Sequence, residues 1–87
     1  MAKSTLSKST HTTRYQRLLK LIIEARSEAN LTQAKVADRL GKAQSQIASI
    51  ESGGRRLDVV ELLDLCEVIG LDPVKVVKVL RDTKEVD

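Results

Sequence analysis

Phenylalanine and tryptophan are absent from the chain, and Tyr15 is its one aromatic residue. Modules that hold single-stranded nucleic acid or RNA loops stack each base on an aromatic face, worth roughly 1–3 kcal/mol per base, so a single ring argues against that class. Cysteine is equally scarce. Cys66 stands alone, which excludes an intramolecular disulfide, and His11 as the sole histidine leaves no set of metal ligands beside it. No metal and no cofactor are expected. Cys66 lies in a helical apolar pattern and reads as core filler. No apolar run approaches the roughly 18 residues of a membrane span, and the Ser/Thr-rich beginning lacks the apolar segment of a secretion signal, so a cytoplasmic protein with no membrane partner is expected. Catalysis finds no footing either. No histidine stands by a nucleophile and no phosphate loop is present, while Asp38, Asp58 and Asp64 read as a cap or exposed helix positions rather than a convergent acid pair. The expectation is a protein that is not an enzyme.

What the chain does contain is an aliphatic core and an uneven charge. Of 87 residues, 41% are apolar and 31% charged, the composition of one small globular domain. Residues 1–56 carry eleven basic and four acidic side chains, a net +7, whereas residues 57–87 carry four basic and eight acidic, a net −4. A polyanion such as DNA is the natural partner for the first part, ahead of a membrane surface, the competing reading.

Residues 1–13, MAKSTLSKSTHTT, hold seven Ser or Thr and two Lys, and offer too little apolar area to offset the entropy of ordering. They read as a flexible basic arm, with no role assigned to His11. From Arg14 onward Leu18, Leu21, Ile22 and Ala25 recur at three- and four-residue steps, the pattern of an amphipathic helix that ends near Asn30. Thr32 caps a second helix containing Val36, Ala37 and Leu40, and Gly41 stops it. A third spans about Ala43 to Glu51, with Ile47 and Ile50 on its inner face. Asp58 opens a fourth, whose inner face is Leu62, Leu65, Cys66 and Ile69, closed by Gly70. Asp72-Pro73 starts a fifth element, a helix by its cap. Its run Val74-Lys75-Val76-Val77-Lys78-Val79-Leu80 is rich in β-branched residues and partly alternating, so a strand stays open there.

The informative block is Gln33 to Ser52, QAKVADRLGKAQSQIASIES. Two helices meeting at about 90–120° through a three-residue turn need a small residue where they touch and a turn residue free to adopt positive φ. Ala37 and Gly41 supply both. Val36, Leu40, Ile47 and Ile50 form a shared inner surface, which leaves the start of the third helix facing outward. This is helix-turn-helix geometry.

With those residues in view, positions 14–81 resemble the Cro and phage-repressor type of helix-turn-helix domain, the Xre-like family of bacterial regulators. The likeness is carried by Leu31-Thr32-Gln33-Ala34, Ala37, Leu40-Gly41, Gln44-Ser45, Ile47, Ile50-Glu51, Gly53 and Arg55-Arg56. It implies an all-α five-helix bundle with the helix-turn-helix at helices 2 and 3, flanked by the arm (1–13) and a C-terminal tail (82–87). It also implies a sequence-specific transcriptional regulator, repressor-like, that binds double-stranded operator DNA as a homodimer with its third helix in the major groove. Gln44 and Ser45 would then face base edges, with Ala48 and Ser49 one turn on. Glutamine chemistry agrees, since its amide pairs bidentately with adenine. Thr32, Gln33, Lys35, Lys42, Arg55 and Arg56 would hold the DNA backbone, with Gln33 also bracing Gln44. Arg26 and Glu51 correspond to a structural ion pair of the family.

The chain departs from the family at Lys42-Ala43, where an apolar residue and a hydroxyl cap are usual, and at Asn30, where glycine is common. Alanine caps poorly, so the cap is expected to shift to the backbone of Lys42 or to a water. The surplus of Val74, Val77, Val79 and Leu80 over one small core points to the dimer surface. The alternative function is a protein-interaction module or an antitoxin-like body on the same scaffold, since fold does not fix function.

Overall fold

The computed structural model describes residues 10–85. Residues 1–9 of the basic arm, and Val86 and Asp87 of the tail, lie outside them. The order is α1 (Thr13–Glu28), α2 (Gln33–Leu40), α3 (Gln44–Ser52), α4 (Val59–Ile69) and α5 (Pro73–Asp82), with no strand among the described residues.

Local chemistry accounts for the ends of these helices. The hydroxyls of Thr12 and Thr32 accept from Tyr15 N–H and Lys35 N–H, while the carboxylates of Asp58 and Asp72 accept from Glu61 N–H and Val74 N–H. Each satisfies one of the amides that a helix start leaves without a partner. Thr12 and Thr13, at the end of the segment read as an arm, therefore belong to the start of α1. At the other ends, Asn30 takes the left-handed conformation with φ 59°, and Gly41 does so with φ 67°.

α3 begins on Ala43, whose methyl cannot cap. The group that closes this end is Gln46, which reaches back to accept from Ala43 N–H at 2.8 Å. This is the half of a capping box that survives without a hydroxyl. A side chain of α3 itself thus serves in place of the expected shift to the backbone of Lys42 or to a water.

The fifth element is a helix, which closes the strand alternative. A strand satisfies its backbone only against a neighbouring strand, and an all-helical bundle offers none. A helix satisfies its backbone internally, and Pro73 and Asp72 start it. Val76 then points inward, 1% exposed, while Val74 and Val77 face solvent at 60% and 59%.

The core is the aliphatic one the composition requires: Leu18, Leu19 and Ile22 of α1, Val36 and Ala37 of α2, Ile47 and Ile50 of α3, Leu65, Cys66 and Ile69 of α4, and Val76. Fully burying a residue such as Ile22 is worth about 1.5–3 kcal/mol. The inner stripe of α1 runs through Tyr15, Leu18, Leu19 and Ile22, with Leu21 and Ala25 at its margin. Leu40 and Leu62 are likewise marginal rather than central. Burial pushes the Cys66 thiol above its ordinary range, as suits a core position.

Two long-range contacts tie the ends together. The Tyr15 hydroxyl accepts from Leu57 N–H at 2.8 Å, fastening α1 to the loop before α4. Glu85, within the expected tail, folds back so that its carboxylate accepts from Thr13 N–H at 2.9 Å and Arg14 N–H at 3.1 Å. A carboxylate there also meets the positive end of the α1 dipole.

Candidate nucleic-acid interface

α2 and α3 meet through Gly41, Lys42 and Ala43. Gly41 leaves α2 in the left-handed conformation and Lys42 N–H bonds back to Ala37 O at 2.8 Å, so the chain reverses at once. Ala37, 2% exposed, is small enough for α3 to lie close, and Ile47 and Ile50 pin that helix to the core. The opposite face of α3 therefore has nowhere to go but outward. Gln44 and Ser45 are exposed there, and Ala48 and Ser49 are half-buried.

Ser49 is more engaged than its position on the helix suggests. Its carbonyl accepts from Gly54 N–H at 2.9 Å, Arg55 N–H at 3.2 Å and the Ser52 hydroxyl at 3.1 Å. A side chain on Gly54 would come within 3.2 Å of the Ser49 hydroxyl oxygen. The turn after α3 thus closes over Ser49 and leaves Gln44 and Ser45 as the most open positions.

Behind this face runs a chain of polar side chains that ends at Gln44. Arg26 donates to Glu51 through Nε (2.6 Å to Oε2) and Nη2 (3.0 Å to Oε1), and through Nη1 to Leu31 O at 2.8 Å. Gln33 Nε2 donates to Glu51 Oε1 at 2.9 Å, and Gln44 Nε2 donates to Gln33 Oε1 at 3.1 Å. Glu51, 8% exposed, is the one buried charged residue among those described, and no buried side-chain polar atom there lacks a partner. A buried pair helps only on that condition.

The direction of the chain follows from its source. An ionised carboxylate only accepts, so the NH2 end of Gln33 must face Glu51 and its carbonyl must face Gln44. Gln44 therefore spends one N–H on Gln33. Its carbonyl and its second N–H remain, one acceptor and one donor side by side on the outer face.

Four cations stand on α2, in the turn and in the loop after α3. Lys35 is exposed at the start of α2 beside the Thr32 cap, Lys42 is half-buried in the turn, and Arg55 and Arg56 are exposed after α3. Arg56 lies 5.2 Å from the Tyr15 ring centre, in cation–π range. Arg55 is paired with Glu61 through both Nη atoms, which sequence reasoning missed. This pairing and the backbone N–H of Asp58 hold the Glu61 carboxyl below its ordinary range. Asp58-x-x-Glu61 is itself the signature of a capping box, and that signal could have marked Glu61 as a fixed carboxylate near Arg55.

Residues 22–76 match the profile of the helix-turn-helix family. The chain belongs to the Cro/C1-type helix-turn-helix family. It is similar to a solved structure described as an XRE-family like protein from Pseudomonas syringae pv. tomato str. DC3000, with 46% identity over 90% of this chain and 95% of that one, and a TM-score of 0.78. No curated protein matches. XRE-family domains are DNA-binding regulators rather than enzymes, and this chain is in that general sense a DNA-binding regulatory domain. No helix is long and apolar enough to cross a membrane among the described residues.

Proposed function

We propose that this XRE-family chain is a sequence-specific, double-stranded DNA-binding transcriptional regulator that acts as a repressor in the cytoplasm, with α3 in the major groove. The observation that carries the reading is the polar chain from Arg26 through Glu51 and Gln33 to Gln44. It ends on an exposed donor–acceptor pair at the start of α3, the pattern that adenine N7 and N6 complement. Gln44 and Ser45 read base edges, and the short side chain of Ala48 lets the helix lie close to the groove floor, with Ser49, beneath the turn through Gly54, at the margin of the contact. Thr32, Gln33 and Lys35 at the start of α2, with Lys42, Arg55 and Arg56, hold phosphates on either side.

Binding of the purified protein to its own promoter region, followed by fluorescence anisotropy across a salt series, tests this. The expected result is an affinity that falls steeply with salt, since each phosphate contact releases counterions. Arg55→Ala should weaken specific and random DNA alike and reduce the log–log salt slope by about one. Binding that is weak and indifferent to salt would move the scaffold to the protein-interaction role.

One recognition helix spans a half-site, so the regulator works as a homodimer. Its surface lies on α4 and α5, where Val59, Val60 and Leu63 are 71%, 67% and 46% exposed alongside Val74 and Val77. Five of the six large apolar side chains exposed among the described residues thus lie on α4 and α5, and these two helices are the proposed association face. Val79 and Leu80, expected on the same surface, are half-buried. Leu80 instead lines, with Tyr15, Leu18 and Leu62, a cleft of about 440 Å³ between α1, α4 and α5. Val77→Asp should convert dimer to monomer in sedimentation and weaken DNA binding with it. A variant that stays dimeric would place the interface elsewhere.

A further inference from the structure

Arg55 is one of the cations of the proposed backbone contact, yet its guanidinium is already engaged. Nη1 donates to Glu61 Oε1 at 3.2 Å and Nη2 donates to Oε2, an end-on grip. Such a grip consumes two of the five N–H donors and leaves the Nε side of the fork open. Nε–H with its neighbouring Nη hydrogen is a bidentate match for two oxygens of a phosphate.

Glu61 is itself firmly held. Its Oε1 accepts from Asp58 N–H at 3.1 Å and its own N–H donates to Asp58 Oδ1 at 2.7 Å, closing the capping box of α4. Leu65, Cys66 and Ile69 anchor that helix in the core. The carboxylate is thus a rigid fixture on α4, with 19% of its side chain exposed against 42% for Arg55. Arg55, by contrast, stands on a loop that follows two glycines, Gly53 and Gly54. Left alone, its side chain would sample many rotamers.

We propose that Glu61 is a positioning residue for DNA binding, holding the end of the Arg55 guanidinium so that its side-on fork faces a backbone phosphate. The inference rests on the DNA-binding reading above. A carboxylate so near a phosphate contact has an obvious opposite role, neutralising Arg55 and competing with the DNA. The two roles predict opposite signs.

Glu61→Gln separates them. Glutamine keeps a carbonyl for Asp58 N–H and so preserves the capping box, but loses the ionised acceptor that fixes Arg55. The expected result, by anisotropy with the promoter duplex at about 0.2 M salt, where charges more than about 7 Å apart are largely screened, is binding weakened by about three- to tenfold. The loss reflects the rotamer freedom that Arg55 must then surrender on contact. Melting temperature should fall by no more than about 5 °C, the loss of one exposed ion pair with the capping box kept, and in an Arg55→Ala background the same substitution should cause no loss of binding. Tighter binding by Glu61→Gln overturns the proposal in favour of competition. Unchanged binding overturns it too, as does an equal loss in the Arg55→Ala background. Wild-type protein that fails to bind the duplex at all would sink the DNA reading itself, a result distinct from each of these.

Discussion

Glu51→Ala is expected to lower the melting temperature by on the order of 10–20 °C, well beyond the effect of Glu61→Ala. Glu51 is the shared acceptor of Arg26 and Gln33, and its removal strands both donors in the seam between α1, α2 and α3. Breaking a buried pair by deleting one partner costs about 3–5 kcal/mol. Arg26 retains its bond to Leu31 O, and its side chain is 18% exposed, so about 2–4 kcal/mol is the better figure here. In a domain of this size each kcal/mol shifts the midpoint by about 4–8 °C. Glu61→Ala removes half a capping box, about 1 kcal/mol or less, and a solvent-exposed ion pair that adds little. Thermal unfolding by circular dichroism measures both variants directly. Equal shifts would mean that the Arg26–Glu51 pair contributes nothing its burial leads us to expect.

Gln44→Ala should reduce the preference for promoter over random DNA by roughly 5- to 150-fold, corresponding to the 1–3 kcal/mol of one bidentate base contact. Affinity for random DNA should hardly move, because that term belongs to the phosphates. The polar chain adds a second expectation. Gln33→Ala leaves Gln44 in place but removes the carbonyl that takes its inner N–H, so the amide becomes free to turn. Discrimination should fall by less than in Gln44→Ala, and combining the two should add little to Gln44→Ala alone. Competition anisotropy with promoter and random duplexes reads all three variants. Strict additivity would show that Gln33 acts on DNA independently, not through Gln44.

Much of the fold is legible in the chain because its signals act over three or four residues. Thr32, Asp58 and Asp72 cap the helices that follow them through bonds to the second or third residue on, and Gly41 ends α2 by its own conformational freedom. The apolar steps Val36–Ala37 and Ile47–Ile50 face inward for the same local reason, which is helical periodicity. The resemblance to the repressor family then supplied the partnership of Arg26 with Glu51, a contact across 25 residues that no local rule would have found.

The element least legible was α5. Its β-branched run fits a strand nearly as well as a helix, and only the absence of a neighbouring strand in an otherwise helical bundle makes the choice. The open face of α3 was similarly incomplete from sequence. Helical periodicity placed Ser49 outward with Gln44, but the turn through Gly53 and Gly54 folds over it.

By itself, then, the chain determined the helical class, the helix-turn-helix and the small set of polar residues on its outer side, since all of these follow from spacing and capping within a turn or two. The resemblance already implied that Gln33 braces Gln44; tertiary structure alone decided that Gln33 is itself held by the buried Glu51 carboxylate, that Arg55 is gripped by Glu61, and that Glu85 closes the start of α1. Those contacts depend on where separate elements lie in space, and a side chain's hydrogen-bonding partner is chosen by proximity after packing rather than by its place along the sequence.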